Sequence, residues 1–131
     1  MFRALLIVCL AHFTIGETIS GRVLLNGSSS STTRLPSGCQ LIVKVTSTAM
    51  ADGPVTVLGS TQYSNVVSFP TSYSLTYTPP VDVPIDFQAV SAHVTCPNGA
   101  RYLNDHRIPV PKENGVDTVV NINVIDIRGG K

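Results

Sequence analysis

Short stretches in which apolar and polar residues alternate recur along most of this sequence. In the clearest of them, Cys39, Leu41, Val43 and Val45 share one parity, and most residues between them are polar. A period of two is typical of a β-strand with one buried face. No helical period of useful length occurs after residue 16, so the sequence predicts an all-β fold.

Seven such stretches are expected to form strands, separated by turns such as Asp52-Gly53-Pro54 and Pro97-Asn98-Gly99. Pro70 interrupts the fourth and indicates an edge position or a bend there. Seven short strands predict an antiparallel β-sandwich, immunoglobulin- or transthyretin-like in outline. The absence of tryptophan disfavours a true immunoglobulin domain. The expected strands are 18–25, 39–48, 55–63, 66–77, 85–95, 101–110 and 116–127.

The first sixteen residues have the pattern of a secretory signal peptide. Arg3 precedes an apolar run, Gly16 supplies a small residue, and polar Glu17 follows. The run is shorter than the roughly 20 residues that span a bilayer. Cys9 comes too early in it for a lipoprotein signal, so no lipid anchor is expected. We therefore expect a leader at 1–16, a single domain at 17–128 and a flexible tail at 129–131, with the mature protein extracellular.

Two cysteines remain after the leader, Cys39 and Cys96. In an oxidising compartment an even number of cysteines indicates a disulfide. Both cysteines are in phase with the apolar side of their strands, so both should face the core, where a bridge between the two sheets could form. Loop-closure entropy gives such a bridge about 4 kcal/mol of stabilisation. Two separate buried thiols are the alternative.

The charge of the chain is low and balanced. Charged residues are 13% of the sequence and the formal net charge is +1, whereas nucleic-acid-binding domains carry a basic stripe. No phosphate-binding loop, no Gly-x-Ser-x-Gly motif and no metal-ligand spacing occurs. We therefore expect no cofactor, no metal and no nucleic-acid partner, and an unidentified protein as the partner.

Four motifs follow one another along the chain: Arg34 to Gly38, Ala51 to Pro54, Pro70 to Tyr77 and Asn104 to Val110. In order and spacing they resemble the motifs of the YbaY/YscW family of small β-sandwich proteins, known mainly as bacterial lipoproteins. The resemblance implies a β-sandwich and a non-enzymatic role, and some members act as accessory lipoproteins that help assemble secretion pores. This chain departs from the family at Ser47, where an acidic residue is common, and at Cys39, where alanine is common.

Two further motifs could carry chemistry. Asn26-Gly27-Ser28 is an N-glycosylation sequon in an expected exposed loop. His93, Asp105 and His106 could contribute to a metal site or to base catalysis, although solvated surface histidines are the simpler interpretation. Asp105, at a turn, could instead hydrogen-bond the nearby backbone.

Three functional hypotheses follow. The first is a secreted binding or accessory module that uses an exposed sheet edge near Pro70 to pair with a partner strand. The second is a small extracellular carrier, which needs an apolar cavity of a few hundred cubic ångströms. The third is a hydrolase or metal enzyme built on His93, Asp105 and His106.

Overall fold

The computed structural model describes residues 16–28, 30–48, 55–79, 87–111 and 117–127. The expected leader, apart from Gly16, and the expected tail at 129–131 lie outside these ranges. No helix long and apolar enough to cross a membrane is found in the part described. The strands are β1 (Glu17–Leu25), β2 (Thr33–Arg34), β3 (Gln40–Thr48), β4 (Val55–Ser64), β5 (Ser68–Phe69), β6 (Thr71–Tyr77), β7 (Gln88–Thr95), β8 (Arg101–Leu103), β9 (Ile108–Pro109), β10 (Asp117–Val119) and β11 (Ile122–Asp126).

The all-β prediction is confirmed, and its detail of seven antiparallel strands is approximate. β8 with β9, and β10 with β11, each act as one interrupted strand, while β2 and β5 form a separate two-stranded sheet. The main sheet is mixed, because β1 runs parallel to β10 and β11. An alternating sequence does not distinguish a parallel neighbour from an antiparallel one.

The main sheet curls into two layers. The first layer has the order β6–β1–β10/β11, and the second has the order β8/β9–β7–β3–β4. The layers join where Ile125 and Asp126 of β11 pair with Leu103 and Tyr102 of β8.

The core fills the space between the layers because the strands alternate. Leu41, Val43 and Val45 of β3 are fully buried, as are Ile122 and Val124 of β11. Phe69 and Tyr102 pack edge to face with their ring centroids 5.1 Å apart. Tyr73 and Tyr77 are also buried, as expected for strand aromatics.

The pairing with β1 is interrupted between β10 and β11, at Val120 and Asn121, without a change of register. A side chain on Gly21 of β1 would collide with the carbonyl oxygen of Val120. Side chains bind the backbone at this interruption, since the Tyr73 hydroxyl donates to the Val120 carbonyl at 2.6 Å and Asn121 Oδ1 accepts from the Arg22 N–H at 2.9 Å. Gly21 therefore permits the close approach of two strands.

A disulfide joins Cys39 and Cys96, with 4.1 Å between their Cα atoms. Both side chains are buried, as expected. The expected position of the bridge between the two sheets is wrong, however. Cys39 precedes β3 and Cys96 follows β7, and these strands are direct neighbours in one layer, where Gln40 pairs with Thr95. The bridge therefore links adjacent strands of the second layer at one end.

Candidate binding surface

The second layer has an outer face that turns away from the core. On β3 and β7 the residues Leu41, Val43, Ala92 and Val94 are buried, so the residues between them point outward. Two side-chain hydrogen bonds agree with this assignment: Gln62 Nε2 to Gln40 Oε1 at 3.1 Å, and Thr95 Oγ1 with His93 Nε2 at 3.2 Å. We define the outer face by the outward residues Ile42, Lys44, Val55, Val57, His93, Arg101, Leu103 and Ile125.

A row of apolar side chains crosses this outer face. Ile42 is opposite His93, His93 is opposite Leu103, and Leu103 is opposite Ile125. Neighbouring strands lie about 4.8 Å apart, so the row is about 14 Å long. Its three apolar members are half-buried and do not belong to the set packed against the core.

The start of β4 adds exposed apolar surface to the same face. Val57 pairs with Thr46 and Val55 with Thr48, which places both valines on the outward parity. The exposed fractions are 64% for Val55 and 52% for Val57. No α-helix covers the outer face in the ranges described.

The charged groups of the outer face are basic. Lys44 and Arg101 lie on either side of the apolar row, on the strands adjoining His93. The pKa of His93 lies below its usual value of 6.5, first because burial disfavours the imidazolium and second because Arg101 and Lys44 repel it. The electrostatic environment of His93 is thus positive.

A cleft borders the outer face where the two layers diverge beyond the β8–β11 pairing. It is open to solvent and has a volume of about 180 Å³. It lacks the enclosed apolar form that the carrier hypothesis needs. The cleft is lined by Asp105, His106, Ile108, Asn121 and Asn123.

In the described part of the chain, one edge of the cleft carries backbone groups that lie outside the β8–β11 pairing. Asn26 donates to the Val124 carbonyl, and Ile127 donates to the Arg101 carbonyl, so even-numbered residues of β11 face β1 and odd-numbered ones face β8. The N–H and C=O of Asn123 therefore point toward the cleft. Among the described residues, the β8–β11 pairing includes only Ile125 and Asp126.

The loop from β8 to β9 is held by Asn104. Its Oδ1 accepts from the Ala92 N–H at 3.0 Å, and its Nδ2 donates to the His106 carbonyl at 2.9 Å. The expected backbone role thus belongs to Asn104, whereas Asp105 Oδ1 forms an exposed hydrogen bond with His106 Nδ1 at 2.8 Å. The Asn104-Asp105 pair at a turn indicated that a side chain would hydrogen-bond the backbone here, but it did not identify which of the two residues does so.

The three side chains of the hydrolase hypothesis are not gathered into one site. His93 bonds Thr95 on the outer face, whereas Asp105 and His106 pair with each other at the cleft. No hydrogen bond or ion pair joins His93 to either of them, and in the part of the chain described no three His, Cys, Asp or Glu side chains form a possible metal site.

The strands on either side of Pro70 are each paired on one side. Ser68 and Phe69, just before Pro70, pair with Arg34 and Thr33, and β6 after it pairs with β1. Among the described strands β6 is thus the outer strand of the first layer, as Pro70 indicated, and the use of this edge for binding stays a prediction. The alternation of β3 and β7 indicated outward residues, but the strand order that brings Ile42, His93 and Leu103 into one row was not readable from it.

The sequence and the fold both match known proteins. Residues 16–122, most of the 131-residue chain, match the family described as type III secretion system lipoprotein chaperone (YscW). A comparison with curated proteins gives no match. The structure is similar to that of an alternative pilotin from the type II secretion system of Vibrio cholerae, with a TM-score of 0.65 and 20% identity over 86% of this chain and 97% of the pilotin. That likeness shows a shared fold.

Proposed function

Because the chain belongs to the YscW family of type III secretion system lipoprotein chaperones, we propose that it is a non-enzymatic accessory module that binds a protein of a secretion system. The similarity in fold to a pilotin, itself a secretion-system protein, supports this proposal. The disulfide indicates an oxidising compartment.

The observation that carries the proposal is the exposed apolar surface of the outer face. Val55 and Val57 are more than half exposed and lie on the same face as Ile42, farther along the β3–β4 pair. A contiguous apolar patch that remains exposed on a folded domain commonly marks a protein contact. Binding would remove this surface from water, at roughly 25 cal/mol of stabilisation per Å².

Location and processing belong to the same proposal. We infer a leader at 1–16, a mature domain at 17–128, a tail at 129–131 and an extracellular destination without a lipid anchor. The family match beginning at residue 16 is consistent with that boundary. Asn26 is the candidate glycosylation site, since it is exposed in the turn after β1. A mass shift removed by a glycosidase would establish this modification.

Site-specific photo-crosslinking in the expressing cell tests the binding role. A photo-reactive residue at position 57 should give one discrete protein adduct. The matched control is position 72 on β6, which is exposed on the outer side of the first layer and should give none. Equal crosslinking at both positions, or no adduct at position 57, would contradict the proposal.

A further inference from the structure

The strands of the second layer carry basic side chains and no acidic ones. The strands β3, β4, β7, β8 and β9 of the second layer contain no Asp or Glu, but they contain Lys44, His93 and Arg101. The eight acidic residues lie in the first-layer strands or in connections: Glu17, Asp52, Asp82, Asp86, Asp105, Glu113, Asp117 and Asp126. A chain of net charge +1 thus has one locally positive face.

The positive charges and the apolar row form one continuous surface. His93 is flanked in its row by Ile42 and Leu103, while Arg101 pairs with Thr95, two residues along β7. Lys44 lies opposite Ser91, two residues along β7 in the other direction. Each basic residue is therefore about 7 Å from the row along the strand direction. A partner that covers the row would come within reach of both basic residues.

We propose that the outer face binds a segment of a partner protein that combines apolar side chains with Asp or Glu. This inference rests on the proposed function and names the partner chemistry for the same surface. The apolar side chains of the segment would cover Ile42, Leu103 and Ile125. Its carboxylates would pair with Lys44 and Arg101.

Charge complementarity is the reason for choosing an acidic protein segment. Basic groups beside an apolar strip attract carboxylates and repel cations. Such complementarity contributes more to the choice of partner than to the strength of binding. Two arginine or lysine side chains are too few for the polybasic cluster that recognises anionic lipid. Asp105 is not one of the outward residues of this face, because it lines the cleft and is hydrogen-bonded to His106 there.

The test is an NMR titration of the mature protein with two matched synthetic peptides. Both carry leucines at the same positions, separated by serines and by either glutamates or lysines. The glutamate peptide should bind more tightly and should shift the amide signals of Ile42, Lys44, His93 and Leu103. The inference is wrong if the lysine peptide binds equally well or if the shifts lie on the first layer.

A charge reversal sharpens the test. The double variant K44E/R101E should weaken binding of the glutamate peptide by about tenfold, equivalent to about 1.4 kcal/mol, and should improve binding of the lysine peptide. The matched control R22E/R34E reverses two exposed charges outside the second layer and should leave both affinities unchanged. Circular dichroism verifies that each variant is folded.

Two further outcomes separate this inference from the proposed function. If the adduct at position 57 persists in K44E/R101E at wild-type yield, the binding role stands and the acidic partner is wrong. If vesicles containing anionic lipid shift the same amides and the glutamate peptide does not, the face binds a membrane surface and the inference is again wrong.

Discussion

Tyr63 of β4 closes the gap between the two layers by binding the backbone of Ser74 in β6. Its hydroxyl accepts a hydrogen bond from the Ser74 N–H at 3.0 Å and donates one to the Ser74 carbonyl at 3.2 Å. Close approach here also requires Gly59, since a Cβ on Gly59 would lie 2.6 Å from Tyr77 Cβ. One phenol thus replaces a rung of backbone pairing between the two edge strands.

The substitution Y63F tests this closure. It removes both hydrogen bonds and keeps the ring, so the free energy of unfolding should fall by about 1 kcal/mol, measured by urea denaturation. The control is Y102F, because the Tyr102 hydroxyl has no hydrogen-bond partner in the ranges described and its ring contact with Phe69 would remain. Indistinguishable midpoints for the two variants would show that the phenol does not hold the gap.

Removal of the disulfide by C39A/C96A should destabilise the protein without changing its fold. The closed loop spans 57 residues of sequence separation, for which loop-closure entropy predicts a loss of about 4 kcal/mol. Denaturant unfolding of the oxidised and substituted proteins measures this loss. Intact-mass analysis under denaturing, non-reducing conditions provides the control, and two free thiols in the unmodified protein would refute the bridge.

His93 should titrate below pH 6.5. Burial first, and then Arg101 and Lys44, lower its pKa. As the pH falls, the unfolded chain therefore takes up this proton before the folded protein does. The contribution of neutral His93 to the free energy of unfolding is complete above pH 6.5, and it is lost as the pH falls through the pKa of His93 in the folded protein. An NMR titration of the His93 ring signals measures the midpoint.

The double variant K44Q/R101Q should raise the His93 midpoint, because it removes the two repelling charges. R22Q/R34Q changes two arginines outside the second layer and should leave it unmoved. A midpoint that does not respond to K44Q/R101Q would mean that neither basic residue lies near the imidazole. That result would contradict the assignment of a positive electrostatic environment to the outer face.

Local sequence patterns were sufficient to predict much of the fold. The alternation of Leu41, Val43 and Val45 predicted β3 and its buried side, and Pro70 marked the break between β5 and β6. The parallel neighbours of β1 were not predictable, because alternation records which side of a strand is buried and not the direction of its neighbour. The position of the disulfide was predicted wrongly for a similar reason. Alternation shows that both cysteines face the core, but this is compatible with adjacent strands of one layer as well as with strands of opposite layers.

The candidate surface was less predictable than the fold. Lys44, His93 and Arg101 were visible as isolated polar residues, but their proximity depends on the register of three strands. The pairing of His106 with Asp105 follows from adjacency in sequence, whereas its separation from His93 follows from the turn that Asn104 stabilises.

The parallel alignment of β1 with β11 determines how this domain can be tethered. Because the first and last strands run in the same direction, the chain enters at Gly16 and leaves at Ile127 from opposite poles. At 3.3 Å per residue the 9 residues of β1 alone separate the two poles by about 30 Å. If the protein is attached to a surface by a linker before Gly16, the end of the domain that carries the disulfide points away from that surface. A linker after Ile127 would place the same end toward the surface.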